Sequence, residues 1–184
     1  MIELKKETII SRFPHLRRQP RPDEVIQSRV ETIQGNGFSW TDIQNPVREE
    51  IEKLGQMYNF NSLNLDDSIS KIQLAKIDNY DDHSFIILHF PPMILKRGMS
   101  KFNQISVFIG KDFVVTIHNG ELKPLVDMVT HCKENVQYRS ELLGKSPGFL
   151  LYKIIDALVD DLLHTLRRIV ANLDEIEDDV FDEN

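Results

Sequence analysis

Leu150-Leu151-Tyr152-Lys153-Ile154-Ile155-Asp156-Ala157-Leu158-Val159-Asp160-Asp161 opens the run that organises the rest of the chain. Read from Leu151, apolar residues fall at Leu151, Ile155, Leu158, Leu162, Leu166, Ile169, Leu173, Ile176 and Val180. Steps of three and four alternate throughout, which is the spacing of one long helix with a continuous apolar seam. Ser146 suits the cap of its first turn, and Pro147 the position where a missing N–H costs nothing. At about 1.5 Å per residue, a helix over residues 148–180 reaches roughly 50 Å, longer than a small domain is wide. Its second half is therefore expected to project beyond the body or to pack on something else.

The helix ends in acid. Asp174, Glu175, Glu177, Asp178, Asp179, Asp182 and Glu183 follow one another with no Lys or Arg among them. These residues carry the whole net charge of −7, and the remainder of the chain is neutral. Carboxylates at the C-terminal, negative pole of a helix are unfavourable. Either they bind something positive or the natural chain runs on past Asn184, and the second reading is favoured here.

Length and composition bound the rest. A chain of 184 residues with 41% hydrophobic and 28% charged residues suits one domain with an appendage. A single cysteine, Cys132, forms no internal disulfide and fits a reducing compartment. No apolar run approaches the roughly 18 residues of a membrane span, and the N-terminus lacks a signal-peptide core. A soluble, cytoplasmic protein is expected. Residues 1–28 form a basic arm, with Lys5, Lys6, Arg12, Arg17, Arg18 and Arg21 against Glu3, Glu7, Asp23 and Glu24. It lacks the interleaved aromatics of a nucleic-acid surface, so no nucleic-acid partner is expected.

Residues 29–146 read as a three-layer α/β/α domain, and 147–184 as the long helix. A weak strand is expected over 2–10 and an irregular Pro-rich segment over 11–24. Strands over 29–34 and 38–43 flank Gly35-Asn36-Gly37. Asn45 is expected to cap a helix with Pro46 in its first position and Val47, Ile51, Leu54 and Tyr58 on one face. A short helical turn follows near 63–69. Strands over 73–80 and 84–95 flank Asp81-Asp82-His83, and strands over 103–109 and 113–118 flank Gly110-Lys111-Asp112. Phe85-Ile86-Ile87-Leu88 and Phe113-Val114-Val115 are apolar on both faces, as a sheet covered on two sides requires. A helix over 122–131 and the long helix supply cover. The fold class is α/β, with a mixed, mostly antiparallel sheet.

Catalytic motifs fail on inspection. Gly144-Lys145-Ser146 resembles the end of a phosphate loop, but Arg139 stands where its first glycine belongs. His83 and His89 share a strand face yet lie roughly 20 Å apart at about 3.3 Å per residue, too far for one metal. Asp78-Asn79-Tyr80-Asp81-Asp82 lacks the glycine and terminal glutamate of a calcium loop. No enzyme is indicated. Two acidic groups remain: Asp66 with Asp67, and Asp156 with Asp160 one helical turn apart. Their plainest readings are a helix start and a solvated flank. Alternatively, hard oxygen donors without sulfur or imidazole suit magnesium or calcium, in a site completed by a neighbouring subunit.

The 150–161 stretch strongly resembles the CorA family of magnesium and cobalt transporters. Further landmarks stand in family order: Trp40-Thr41-Asp42-Ile43, Leu63-Asn64-Leu65-Asp66-Asp67, Asn79-Tyr80 with Phe85-Ile86-Ile87-Leu88, Gln104-Ile105-Ser106-Val107-Phe108-Ile109-Gly110, and Val115-Thr116-Ile117-His118. They span roughly residues 30–181. The resemblance implies the cytoplasmic domain of a homopentameric channel at the inner membrane, joined by a stalk to two spans per subunit. Neither the spans nor the Gly-Met-Asn signature of the pore mouth occurs here, so this is expected to be the sensor portion without its pore. It also implies that Mg2+ bound between cytoplasmic domains holds the channel closed, with Co2+ a further cargo. By position, the ligands match Asp66, Asp67 and Asp156, plus a stalk carboxylate beyond Asn184. Asp66 stands where glutamate is more usual, and Leu74 where a basic residue often precedes the position of Lys76. The rivals are a zinc-transporting relative of the same fold and a stand-alone interaction module using the seam and the acidic tail.

Overall fold

The structure is a computed structural model and describes residues 27–70, 73–91 and 103–181. Two sequence periods resolve into its elements. In chain order these are β1 (Arg29–Gln34), β2 (Ser39–Gln44), α1 (Arg48–Tyr58), α2 (Ser62–Ile69), β3 (Lys76–Asn79), β4 (His83–Phe90), β5 (Asn103–Gly110), β6 (Phe113–His118), α3 (Lys123–Glu134), α4 (Val136–Leu143) and α5 (Pro147–Phe181). The strands form one sheet in the order β1-β2-β6-β5-β4-β3. β2 runs parallel to β6, and every other neighbouring pair is antiparallel.

Side chains alternate across a strand, so each strand feeds two faces. Val114 points to one face of the sheet, and Val115 and Ile117 to the other. On the first face Trp40, Ile105, Val107 and Val114 meet Leu125 and Val129 of α3, Leu143 of α4, and Leu150, Ile154 and Leu158 of α5. On the second, Phe85, Ile87, Phe108 and Val115 meet Ile51 and Leu54 of α1, with Leu65 and Ile69 of α2 against them. The result is the expected three-layer α/β/α domain with a mixed sheet and a long last helix.

The parallel pair β2–β6, one strand in from the β1 edge, carries a buried polar chain. Trp40 Nε1 donates to Thr116 Oγ1 at 3.0 Å, and the Thr116 hydroxyl donates to Asp42. Gly120 N–H donates to His118 Nδ1 at 3.1 Å, which leaves Nε2 to carry the ring proton toward Asp42 at 3.3 Å. Trp40, Asp42, Thr116 and His118 thus satisfy one another within this chain of bonds, as their burial demands.

Several expectations need correction. α1 begins at Arg48 with Val47 as its cap residue, not at Asn45 and Pro46. Asn45 instead adopts φ +52 and donates its N–H to the His118 carbonyl at 2.8 Å. It closes the β2–β6 ladder in a left-handed turn that Asn tolerates. β3 is shorter than expected, and His83 belongs to β4 rather than to the turn. The helix α4 was not foreseen, and its weak apolar periodicity gave no signal. Its start is fixed by Asn135, whose side chain accepts from the Tyr138 N–H at 3.0 Å. The turn Gly35-Asn36-Gly37 forms as expected and requires both glycines. Gly37 sits at φ +98, and a Cβ on Gly35 would come within 2.6 Å of Leu143 Cβ. The strand expected over 2–10 lies outside the described residues.

On α5, Ser146 caps the first turn, its hydroxyl accepting from the Phe149 N–H at 3.2 Å. The buried edge runs Leu150–Ile154–Leu158: Leu158 belongs to the expected seam, while Leu150 and Ile154 lie deeper than the half-buried Leu151 and Ile155 beside them. Asp161, Leu162 and Thr165 still face Phe90 and Leu122 of the body, while Leu163, Leu166, Val170 and Leu173 are exposed.

Candidate metal centre

Asp66 and Asp67 lie in the second half of α2, whose start is capped by Asn61 Oδ1 accepting from Leu63 N–H at 2.9 Å. The reading of these carboxylates as a helix start is therefore wrong. They sit toward the negative pole, where backbone carbonyls add to their charge instead of offsetting it. Cations from other elements compensate. Arg48 of α1 places Nη2 3.0 Å from Asp66 Oδ1, while also reaching Glu52 at 3.3 Å. Lys76 of β3 places Nζ 2.7 Å from Asp67 Oδ2, and Gln73 Nε2 donates to Asp67 Oδ1 at 2.8 Å.

Lys76 also reaches Asp78 Oδ2 at 2.7 Å and Asn64 Oδ1 at 3.4 Å, with the Phe85 ring 5.2 Å away. The hydrogen bond to Asp67, then that to Asp78, holds its ammonium above the usual lysine range. Asn64 is buried and fixed by donating to the Tyr80 hydroxyl at 2.8 Å. Leu63, Asn64, Asp67, Lys76, Asp78 and Tyr80 line an open cleft of about 580 Å³ between α2 and the edge strand β3. Leu63 and Ile77 line it with exposed side chains.

Asp156 lies on α5, in the opposite layer. Its Oδ2 pairs with Lys153 Nζ at 3.1 Å, one turn back on the same helix, and that bond raises the Lys153 ammonium. Asp156 and Asp160 line a second cleft of about 520 Å³ with Tyr138, Glu141, Lys145 and Phe149. The Phe149 ring already holds an ammonium, with Lys145 Nζ 4.0 Å from its centroid.

The structure thus brings Asp66 and Asp67 together on one element and leaves Asp156 across the sheet. Magnesium binds oxygen at about 2.0–2.1 Å, so no single ion touches both sets within one chain. Among the described residues no group of three His, Cys, Asp or Glu side chains converges on one point. Sequence reasoning missed Lys76, Asp78, Asn64 and Arg48. Two of them were legible: Lys76 and Asp78, two apart on an edge strand, must share a face.

The chain is thus a three-layer α/β/α body with a long last helix and carboxylates on both outer layers. The description of the CorA-like Mg2+ transporter protein family matches residues 35–184, and the chain belongs to that family. It is similar to the putative metal ion transporter YfjQ of Bacillus subtilis, 29% identical over 139 residues, which are 76% of this chain and 41% of that one. It is also similar to the cobalt/magnesium transport protein CorA of Thermotoga maritima, 24% identical over 146 residues, 78% of this chain and 40% of that one. The chain thus spans about two fifths of the length of these relatives. Its fold matches the soluble domain of CorA from Methanocaldococcus jannaschii at a TM-score of 0.65 and 18% identity, covering 86% of this chain and 66% of that one. Among the described residues no helix is long and apolar enough to cross a membrane.

Proposed function

We propose that this chain is the cytoplasmic, Mg2+-sensing portion of a CorA-like divalent-cation transporter, with Asp66, Asp67 and Asp156 as its regulatory ligands. Family membership supports the transporter assignment. The observation that carries the sensing role is the separation of the carboxylates onto opposite outer layers. Each copy then offers half a site on either side, and a ring of copies completes one site per junction. The parent assembly in this reading is a homopentamer at the inner membrane, with residues 29–146 as the sensor body and 147–184 leading toward stalk and pore. It assigns no catalysis to the chain.

The physics is a change of sign. Carboxylates of adjacent copies repel by about 1 kcal/mol per pair at 4 Å in water, and more near a protein surface. A divalent cation between them turns repulsion into a tie, and its loss loosens the ring through differential binding. The donors are carboxylate oxygens, which suit magnesium, with cobalt as a competitor; zinc, the rival cargo, favours imidazole and thiolate.

Thermal melts of the chain with and without Mg2+ test the reading. For a Kd of about 1 mM, about 10 mM Mg2+ adds roughly 1.4 kcal/mol and raises Tm by about 3–5 °C. Sedimentation in the same buffers should show association. Asp67→Ala with Asp156→Ala should abolish both responses, and a double variant that responds like the parent chain refutes the ligand assignment.

A further inference from the structure

Each proposed ligand is already paired with a cation of its own chain, but the three pairings differ. Arg48 is 65% exposed and shared between Asp66 and Glu52. Lys153 is 39% exposed and has Asp156 on its own helix as partner. Lys76 is 31% exposed and bridges two elements, holding Asp67 of α2 and Asp78 of β3 at 2.7 Å each. Its ammonium therefore sits among three oxygens, those of Asp67, Asp78 and the buried Asn64, in the place a free cation would take beside Asp67.

Two cations cannot share that place. An ammonium within hydrogen-bonding distance of Asp67 Oδ2 repels any divalent ion approaching the same oxygen, and the other oxygen is taken by Gln73. The lysine nevertheless has room to leave. It reaches the carboxylates from an edge strand on a flexible four-carbon stem, its head opens onto the cleft, and an ammonium is readily hydrated. Moving it breaks no backbone pairing.

We infer that Lys76 is a tethered competitor for the divalent cation at Asp67. This rests on the assignment of Asp67 as a regulatory ligand and adds what sets its threshold. When the divalent ion is scarce the ammonium fills the place and ties α2 to β3. When the ion arrives, Lys76 gives up Asp67 and keeps Asp78 and solvent. The apparent affinity is then the intrinsic affinity reduced by the fraction of time that Lys76 is displaced. The tether also sets selectivity. A monovalent ion must compete with a monovalent ammonium held at high effective concentration, whereas a divalent ion carries twice the charge into the same field.

Calorimetric titration of the chain with MgCl2, in parallel with Lys76→Met, Asp67→Asn and the combined variant, decides the matter. Lys76→Met should bind Mg2+ about tenfold more tightly, and Asp67→Asn should remove that binding in both backgrounds. Equal or weaker binding by Lys76→Met overturns the competitor role while leaving Asp67 a ligand. Binding indifferent to Asp67 in both backgrounds overturns the ligand assignment and this inference together. A second measurement leaves the chain unaltered: the rate at which an acylating reagent modifies Lys76, read by mass spectrometry. Mg2+ should accelerate modification at Lys76 relative to NaCl of equal ionic strength, and an unchanged rate refutes displacement.

Discussion

Leu158→Ala and Leu166→Ala alter the same residue type eight positions apart on one helix, yet they should differ severalfold in cost. Leu158 is 3% exposed and packs beneath the sheet with Leu150 and Ile154, whereas Leu166 is 47% exposed. Truncating a buried leucine removes three carbons at about 0.8 kcal/mol each, and the incompletely collapsed cavity adds to that, giving about 3 kcal/mol. For a chain of this size each kcal/mol moves Tm by about 2–4 °C, so Leu158→Ala should melt about 6–12 °C lower. Leu166→Ala loses little buried area and gains helix propensity, so it should stay within about 0.5 kcal/mol of the parent chain. Circular-dichroism melts and urea titrations read both. If Leu166→Ala costs as much as Leu158→Ala, the second half of α5 is packed in solution and its description as a projecting helix fails. If Leu158→Ala costs almost nothing, the assignment of the buried edge is wrong.

Two further outcomes follow from groups away from the site. Glu31 Oε1 accepts from Lys133 Nζ at 2.7 Å and from Arg29 Nε at 2.9 Å, and these bonds, Lys133 first, hold its carboxyl below the ordinary 4.5. A carboxyl lowered on folding contributes stability that is complete above its unfolded pKa and lost as pH falls through the folded value. Lys133→Ala should therefore be less stable than the parent at pH 7, with the gap closing toward pH 3 in urea titrations; a gap independent of pH contradicts this. Cys132 is buried, and burial pushes its thiol up to about 11, so iodoacetamide should label it at pH 8 only after denaturation. Rapid labelling of the folded chain would contradict its place between α3 and the sheet.

The sheet was legible because its strands announce both faces. Phe85-Ile86-Ile87-Leu88 and Phe113-Val114-Val115 carry apolar side chains at successive positions, and the structure sends alternate ones into two separate cores. α4 was not legible, because Val136–Leu143 buries only Leu142 and Leu143 and owes its start to the Asn135 cap. The seam of α5 was legible at Leu158, but its first turns bury Leu150 and Ile154 more deeply than Leu151 and Ile155, for a physical reason. Leu150, Leu151, Ile154 and Ile155 offer two adjacent apolar edges, and spacing alone cannot choose between them; the sheet does, by taking Leu150 and Ile154. The acidic pair on α2 was found but placed at the wrong pole, since an eight-residue helix leaves little periodicity from which to fix its ends.

What sequence could least reveal is that the candidate ligands are not vacant charges. Asp66, Asp67 and Asp156 look equivalent as letters, yet Asp156 takes its cation from its own helix, whereas Asp66 and Asp67 find theirs only once the fold brings Arg48 of α1 and Lys76 of β3 to α2. If these carboxylates are the ligands, as proposed, the sensor would measure a difference. An arriving ion gains a carboxylate, while Arg48, Lys76 or Lys153 loses one, and the balance depends on how well each released cation is hydrated and what partner it keeps. Lys76 retains Asp78 and Arg48 retains Glu52, so release leaves neither charge stranded. Under that proposal, exchange of partners between two satisfied states, instead of filling of an unsatisfied hole, would keep the body folded when the ion is absent. On the proposed reading, the ion would then govern contacts between copies without governing the fold itself.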